Sequence, residues 1–255
     1  MKARAAGLSD LGRCRKVNQD QFLLDSSLGL YAIADGMGGH AAGEVASDLA
    51  INALAGSLRN QQESGSGLWT PERAAELLRQ ALNEGNRKIC DSVATRVEWR
   101  GMGTTMVALV LAGETAVIGY VGDSRAYLLR DGQLRQLTSD HSWVNEQVKL
   151  GLLTAEQAYR HPMRNIVTRA LGNQPAVEVD VIVEALRPND ILALCSDGLS
   201  GMVSDEEIAE ILAKHGGVPR DACRVLVDQA NQHGGEDNVT VIVMASEPCP
   251  VESAG

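Results

Sequence analysis

Four apolar runs in this chain each meet an aspartate at one end, and that pattern limits the fold more than any other. They are Leu28-Gly-Leu-Tyr-Ala-Ile-Ala-Asp35, Ala116-Val-Ile-Gly-Tyr-Val-Gly-Asp123, Asp190-Ile-Leu-Ala-Leu-Cys-Ser-Asp197 and Asp237-Asn-Val-Thr-Val-Ile-Val-Met244. Short apolar runs bounded by turn residues read as buried strands. A carboxylate at the end of one strand is ordinary. Four of them, on strands that can be neighbours, imply a fold that gathers acids at one place.

The rest of the chain supplies further strands and paired helices. Strands are expected at Ala3 to Ser9, Gln21 to Leu24, Thr104 to Leu111, Thr115 to Val121, Ala126 to Arg130, Gln133 to Leu137 and Val177 to Val183. Turns at Gly113-Glu114 and Asp131-Gly132 make hairpins of four of these, and Asp-Gly between apolar runs is a strong hairpin signal. Arg15 to Asp20 is polar and reads as unsuited to a core. From Gly43 a helical stripe of Val45, Leu49, Ala53, Leu54 and Leu58 begins, and a second helix enters through Thr70-Pro71-Glu72 and buries Leu78, Leu82, Gly85 and Ile89. Capping boxes stand at Thr154-x-x-Gln157 and Ser204-x-x-Glu207, and another helix spans Pro219 to Gln232. Hairpins with helices in pairs between them favour an α+β sandwich of antiparallel sheets over a doubly wound parallel sheet. No repeat or linker divides the chain, so residues 1–246 form one domain, with a flap-like insert at about 138–172 and a flexible tail at 247–255.

Composition narrows the function. At 255 residues and 44% apolar the chain can bury a substantial core, while a formal charge of -10 with no Lys/Arg block argues against a nucleic-acid face. Five scattered cysteines, Cys14, Cys90, Cys195, Cys223 and Cys249, offer neither a disulfide framework nor a zinc spacing. No secretory signal or membrane span is expected, so the cytoplasm is the default compartment and a monomer the default state. An acid cluster poor in nitrogen and sulfur suits hard divalent cations such as Mg²⁺ or Mn²⁺, and two such ions can arm water for in-line attack on phosphorus.

Six motifs in order then carry a resemblance: Arg15-x-x-Asn18-Gln19-Asp20, Asp35-Gly36-Met-Gly-Gly-His40, Gly103-Thr104-Thr105, Gly122-Asp123-Ser124-Arg125-Ala126-Tyr127, Ser196-Asp197-Gly198-Leu199 and Glu236-Asp237-Asn238-Val-Thr. The series resembles the bacterial branch of the PP2C family of metal-dependent protein Ser/Thr phosphatases. That resemblance implies a four-layer α-β-β-α sandwich with two Mn²⁺ or Mg²⁺ ions in a cleft, sharing a bridging hydroxide. It implies that Asp35 bridges both ions, that the Gly36 carbonyl binds one, and that Asp197 and Asp237 complete the other site. Asp20 would hold metal-bound water, Asp123 would join Asp197 at a third ion, and Arg15 would clamp the substrate phosphate. Gln19 stands where many members have Glu. Met37 takes the place of a histidine that protonates the leaving group in animal members, which leaves His40 as the candidate general acid. The implied partners are phosphoproteins and a bacterial Ser/Thr kinase. Two rivals stand beside this reading. One is a dinucleotide site at Gly36-x-Gly38-x-x-Ala41, which predicts a βαβ unit. The other is a phosphoprotein-binding module that keeps the fold without turnover.

Overall fold

The computed structural model describes residues 2–38, 42–64 and 69–247. Among these, the strands are β1 Lys2–Asp10, β2 Asp20–Asp25, β3 Leu30–Met37, β4 Gly103–Thr104, β5 Met106–Ala112, β6 Thr115–Val121, β7 Arg125–Arg130, β8 Gln133–Gln136, β9 Asp180–Ala185, β10 Ile191–Cys195 and β11 Val239–Glu247. The helices are α1 Gly43–Ser64, α2 Pro71–Thr95, α3 Trp143–Lys149, α4 Ala155–Tyr159, α5 Asp197–Ser200, α6 Asp205–His215 and α7 Pro219–Gln232. A 3-10 turn at Val97–Trp99 follows α2.

The strands form two antiparallel sheets. One is ordered β1-β11-β10-β7-β8; the other is β2-β3-β5-β6-β9, with β4 paired to β3. Three apolar clusters separate four layers. The first joins α1 and α2 to the β2–β9 sheet through Leu54, Leu58, Leu78 and Leu82. The second seats α6 and α7 on the β1–β8 sheet through Ile208, Leu212, Leu226 and Val241. The third lies between the sheets and includes Tyr31, Ile33, Leu109, Ile118, Leu128 and Ile242. Both faces of each sheet are thus covered, which is why these strands read as continuous apolar runs rather than alternating ones. The α+β sandwich read from the hairpins is the observed fold.

The local expectations hold where local chemistry decides them. Thr70 caps α2, and both capping boxes form, at Thr154 with Gln157 and at Ser204 with Glu207. Asp131 and Gly132 both take positive φ, 53° and 76°, as a tight two-residue hairpin turn requires. Elsewhere packing shifts the boundaries. The fully buried stripe of α1 is Ala46, Ala50, Ala53, Leu54 and Leu58, with Val45 and Leu49 only flanking it. Small residues take the centre where α2 packs on α1, and a Cβ on Gly85 would stand in van der Waals contact with Ala50 and Ala53, 3.5 and 3.7 Å away. The strand expected from Thr104 divides at Thr105 into β4 and β5. The strand expected from Val177 starts at Asp180, since its partner β6 offers its last paired residue at Tyr120. β11 runs past 246 to Glu247, which faces Lys2. Among the described residues the βαβ unit of the dinucleotide reading is absent, because β3 is antiparallel to all of its partners, β2, β4 and β5. No described helix is long and apolar enough to cross a membrane.

Candidate active site

Sheet register brings the acids together. Asp20 and Asp35 face each other across the β2–β3 pair, at the end where both strands leave the core. Asp197 opens α5 directly after β10, and Asp237 lies just before β11; β10 and β11 are themselves neighbours. The α5 turn presses so close to the β11 entry that a Cβ on Gly198 would stand 2.0 Å from the Asn238 carbonyl oxygen. Only glycine permits that approach. Asp123 follows β6, a strand of the same sheet as β2 and β3, and completes the group.

The electrostatics report the same convergence. Asp35 is held well above the ordinary carboxylate range, first by burial and then by the fields of Asp20, Asp197, Asp123 and Asp237. Burial pushes Asp20 up to about 7 and Asp123 up to about 8, with neighbouring carboxylates adding to both. Asp197 is raised by burial and Asp237, against a hydrogen bond with Asp35 and the fields of Arg15 and Arg125. Low dielectric and like charge penalise the ionised forms together, and a bound cation relieves both.

Around these acids runs a frame of neutral hydrogen bonds. Ser196 Oγ and Thr240 Oγ1 both donate to Asp20 Oδ2, at 2.8 and 2.7 Å. The Asp35 N–H donates to Thr105 Oγ1, and the preceding residue, Thr104, donates its hydroxyl to the Asp35 carbonyl. Asn238 Oδ1 accepts from the Gln19 N–H, while its Nδ2 donates to the carbonyls of Leu11 and Val17, fastening the 11–19 loop beside Asp237. Gly36 pairs with Thr104 and donates its N–H to the Gln19 carbonyl. Arg15 is half-exposed and reaches Asp237 Oδ2, not the Asp10 or Asp20 that an ordinary surface pair would use.

Asp20, Asp35, Asp123, Asp197, Asp237, Gly36 and Arg15 therefore share one edge of the sandwich. Asp20, read from a polar stretch as unsuited to a core, is only 4% exposed, since hydroxyls from two distant elements replace its water. His40 lies outside the described residues. The positioning residues Thr105, Ser196, Asn238 and Thr240 stand inside or next to the motifs, yet their roles follow only from which strands meet.

Among the described residues no three His, Cys, Asp or Glu side chains stand at mutual ligand spacing around one point, so the set is open. Its fit to a cation rests on the oxygens themselves. Oδ1 of Asp20 and Oδ1 of Asp197 are buried with no hydrogen-bond partner, a costly condition that a divalent ion reverses. The donors are all oxygen, the chemistry of Mg²⁺ and Mn²⁺.

The model of the family described as protein phosphatase 2C matches residues 13–229, a span that takes in every acid of the cluster except Asp237. The chain belongs to the protein phosphatase 2C family. Serine/threonine phosphatase stp of Listeria monocytogenes is 41% identical over 239 residues, covering 92% of this chain and 93% of that protein. Serine/threonine protein phosphatase PstP of Mycobacterium tuberculosis is 42% identical over 242 residues, 94% of this chain but 44% of the longer PstP. The fold superposes on the crystal structure of the M. tuberculosis phosphatase with a TM-score of 0.85 at 41% identity, over 96% of this chain and 99% of that one. It also matches the PstP catalytic domain in complex with two manganese ions, with a TM-score of 0.83 at 40% identity and the same coverage.

Proposed function

We propose that this member of the family is a metal-dependent phosphatase that hydrolyses phosphoserine and phosphothreonine in proteins. The observation that carries the reading is the convergence of five carboxylates from both sheets, two of whose buried oxygens lack any partner. Asp35, the Gly36 carbonyl, Asp197 and Asp237 would hold two Mn²⁺ or Mg²⁺ ions, with Asp123 and Asp197 available to a third. When bound, such ions neutralise the carboxylates, lower the pKa of coordinated water and polarise a phosphoryl oxygen.

The chain's own groups do the rest. Asp20 is fixed by two hydroxyls at Oδ2, so its free Oδ1 has one orientation in which to accept a hydrogen bond from water. Arg15 supplies a planar two-donor fork suited to a phosphate. Its partner Asp237 is also a candidate ligand, and a guanidinium released from that pair would be free to meet the substrate. The insert at 138–172 carries Leu150, Leu152, Tyr159, Met163 and Ile166 exposed, an apolar surface that suits a polypeptide substrate. Similarity to phosphatases named for Ser/Thr substrates supports phosphoproteins as the substrate class, with a Ser/Thr kinase as the opposing activity. The free thiols at Cys14, Cys90, Cys195 and Cys223 support a reducing, cytoplasmic setting.

The test is Mn²⁺-dependent release of phosphate from a phosphothreonine peptide, with Asp35→Ala as control. Turnover by the wild type and its loss in the variant are expected. Tight binding of the peptide without release by the wild type would instead make the chain a phosphoprotein-binding module.

A further inference from the structure

Asp140 and His141 are adjacent in sequence at the root of the 138–172 insert, and they hold opposite sides of the loop that carries Asp123. On one side, Asp140 takes Arg125, two residues after Asp123, in a bidentate pair: Arg125 Nε lies 3.1 and 3.0 Å from the two carboxylate oxygens and Nη2 lies 2.7 Å from Oδ2. Gln136 Nε2 donates to the same carboxylate at 2.8 Å, and Asn145 Nδ2 of α3 donates to the Asp140 carbonyl at 2.6 Å.

On the other side, His141 grips Gly122, immediately before Asp123. The Gly122 N–H donates to His141 Nδ1 at 3.0 Å, and the His141 N–H donates to the Gly122 carbonyl at 3.0 Å. Because Nδ1 accepts, the ring proton sits on Nε2, which faces Asp180 Oδ2 of β9 at 3.0 Å. Arg169 lies beside the same nitrogen and pairs with the other Asp180 oxygen at 3.5 Å. The Tyr120 ring stacks on the imidazole at 5.1 Å, and His141 is 5% exposed. Gly122 has a φ of +107°, and a Cβ there would stand 2.6 Å from Thr105 Cβ, so the loop sits hard against Thr105. Thr105 in turn bonds Ser124 Oγ at 2.7 Å and accepts from the Asp35 N–H. The insert is closed at its root by the Ser142–Val167 bridge and the Thr168 N–H bond to the His141 carbonyl.

We infer that Asp140 and His141 are positioning residues for Asp123, fixing both of its neighbours and thereby coupling the seat of the insert to the acid cluster. The role of Asp123 as a metal ligand rests on the function proposed above, whereas the grip itself is independent of it.

Two isosteric variants of His141 divide the ring's functions. In His141→Asn the amide oxygen takes the place of Nδ1 and can still accept from Gly122. In His141→Gln the amide nitrogen takes the place of Nε2 and keeps Asp180, but the acceptor for Gly122 is lost. On the full chain, in chelator, hydrogen exchange at residues 121–125 is expected to be faster by about 10-fold in His141→Gln and Asp140→Asn than in wild type, the worth of one buried hydrogen bond. His141→Asn keeps the wild-type protection. The Mn²⁺ concentration for half-saturation, read by calorimetry with Mn²⁺ alone, rises by about 10-fold in His141→Gln and Asp140→Asn. Neither substitution raises it further once Asp123→Asn is present. Equal exchange and equal Mn²⁺ half-saturation in the Asn and Gln variants, or an undiminished effect in the Asp123→Asn background, overturns the inference. Lack of phosphate release by wild type alongside the expected exchange and calorimetry would sink the phosphatase reading and leave the positioning role standing.

Discussion

Removing divalent cations should make this protein less stable as pH rises, the reverse of ordinary acid denaturation. Asp20 and Asp123 stand above their ordinary range in the fold, at about 7 and about 8, so the folded chain holds protons that the unfolded chain has already released. Stability from such groups is whole below the unfolded value of 3.8 and is lost as pH climbs through the folded values. At about 1.4 kcal/mol per pH unit, the part of the rise at Asp20 that is lost between pH 5.5 and about 7 corresponds to about 2 kcal/mol, shared with the acids near it. A chain of this size shifts its Tm by about 2–4 °C per kcal/mol, so a fall of about 4–8 °C is expected over that range. Asp25, Glu84 and Glu207 have depressed pKa values through hydrogen bonds with neighbouring side chains or backbone groups and so act oppositely, but their contribution is lost only as pH falls through the acid range below about 4.5. In the window from pH 5.5 to 8.5 His141, which burial holds below its ordinary 6.5, also acts oppositely, so the cluster is isolated by the difference in slope between wild type and an Asp20 variant. Thermal melts in EDTA across the window, repeated with Asp20→Asn and with millimolar Mn²⁺, provide the assay. The substitution should flatten the slope, and Mn²⁺, which binds the deprotonated acids, should flatten or invert it. A melting temperature in EDTA that is level or rising over that window refutes the reasoning.

Other expectations follow from single contacts. Arg15→Ala should lower kcat/KM for a phosphopeptide by about 10- to 100-fold, the worth of a hydrogen bond to a charged group, while its melting temperature barely moves because an exposed pair contributes little. Leu78→Ala empties a fully buried position between α2 and its sheet and should cost about 2–5 kcal/mol in urea unfolding without altering kcat of the remaining folded fraction. Replacing residues 143–166 with a short linker, which spares Asp140 and His141, should reduce turnover of phosphopeptides more than that of a small aryl phosphate; equal losses on both substrates would remove the insert from substrate choice.

Much of the fold was legible in the sequence because it is decided within a few residues. Thr70, Thr154 and Ser204 cap helices by bonding N–H groups three residues ahead, and Asp131-Gly132 turns a hairpin by adopting positive φ. The acid at the end of each apolar run was legible too, since a strand that buries both faces must stop where a charge begins. The centring of α1 on Ala46 and Ala50 was not, because it reflects how α1 packs against α2 and the sheet.

What the sequence determined by itself is the set of pieces: strands and capped helices, a surplus of oxygen ligands, and motifs whose order implied the family. What the tertiary structure alone decided is which atoms meet. Asp20 is buried rather than solvated because Ser196 and Thr240, 176 and 220 residues away, donate to it. Asp140 and His141 matter to Asp123 because the root of the insert folds back over β6 and β7. Local propensity acts over the reach of one turn or one hairpin, whereas the fields and hydrogen bonds that tune a buried carboxylate act through space between residues that only sheet pairing brings together.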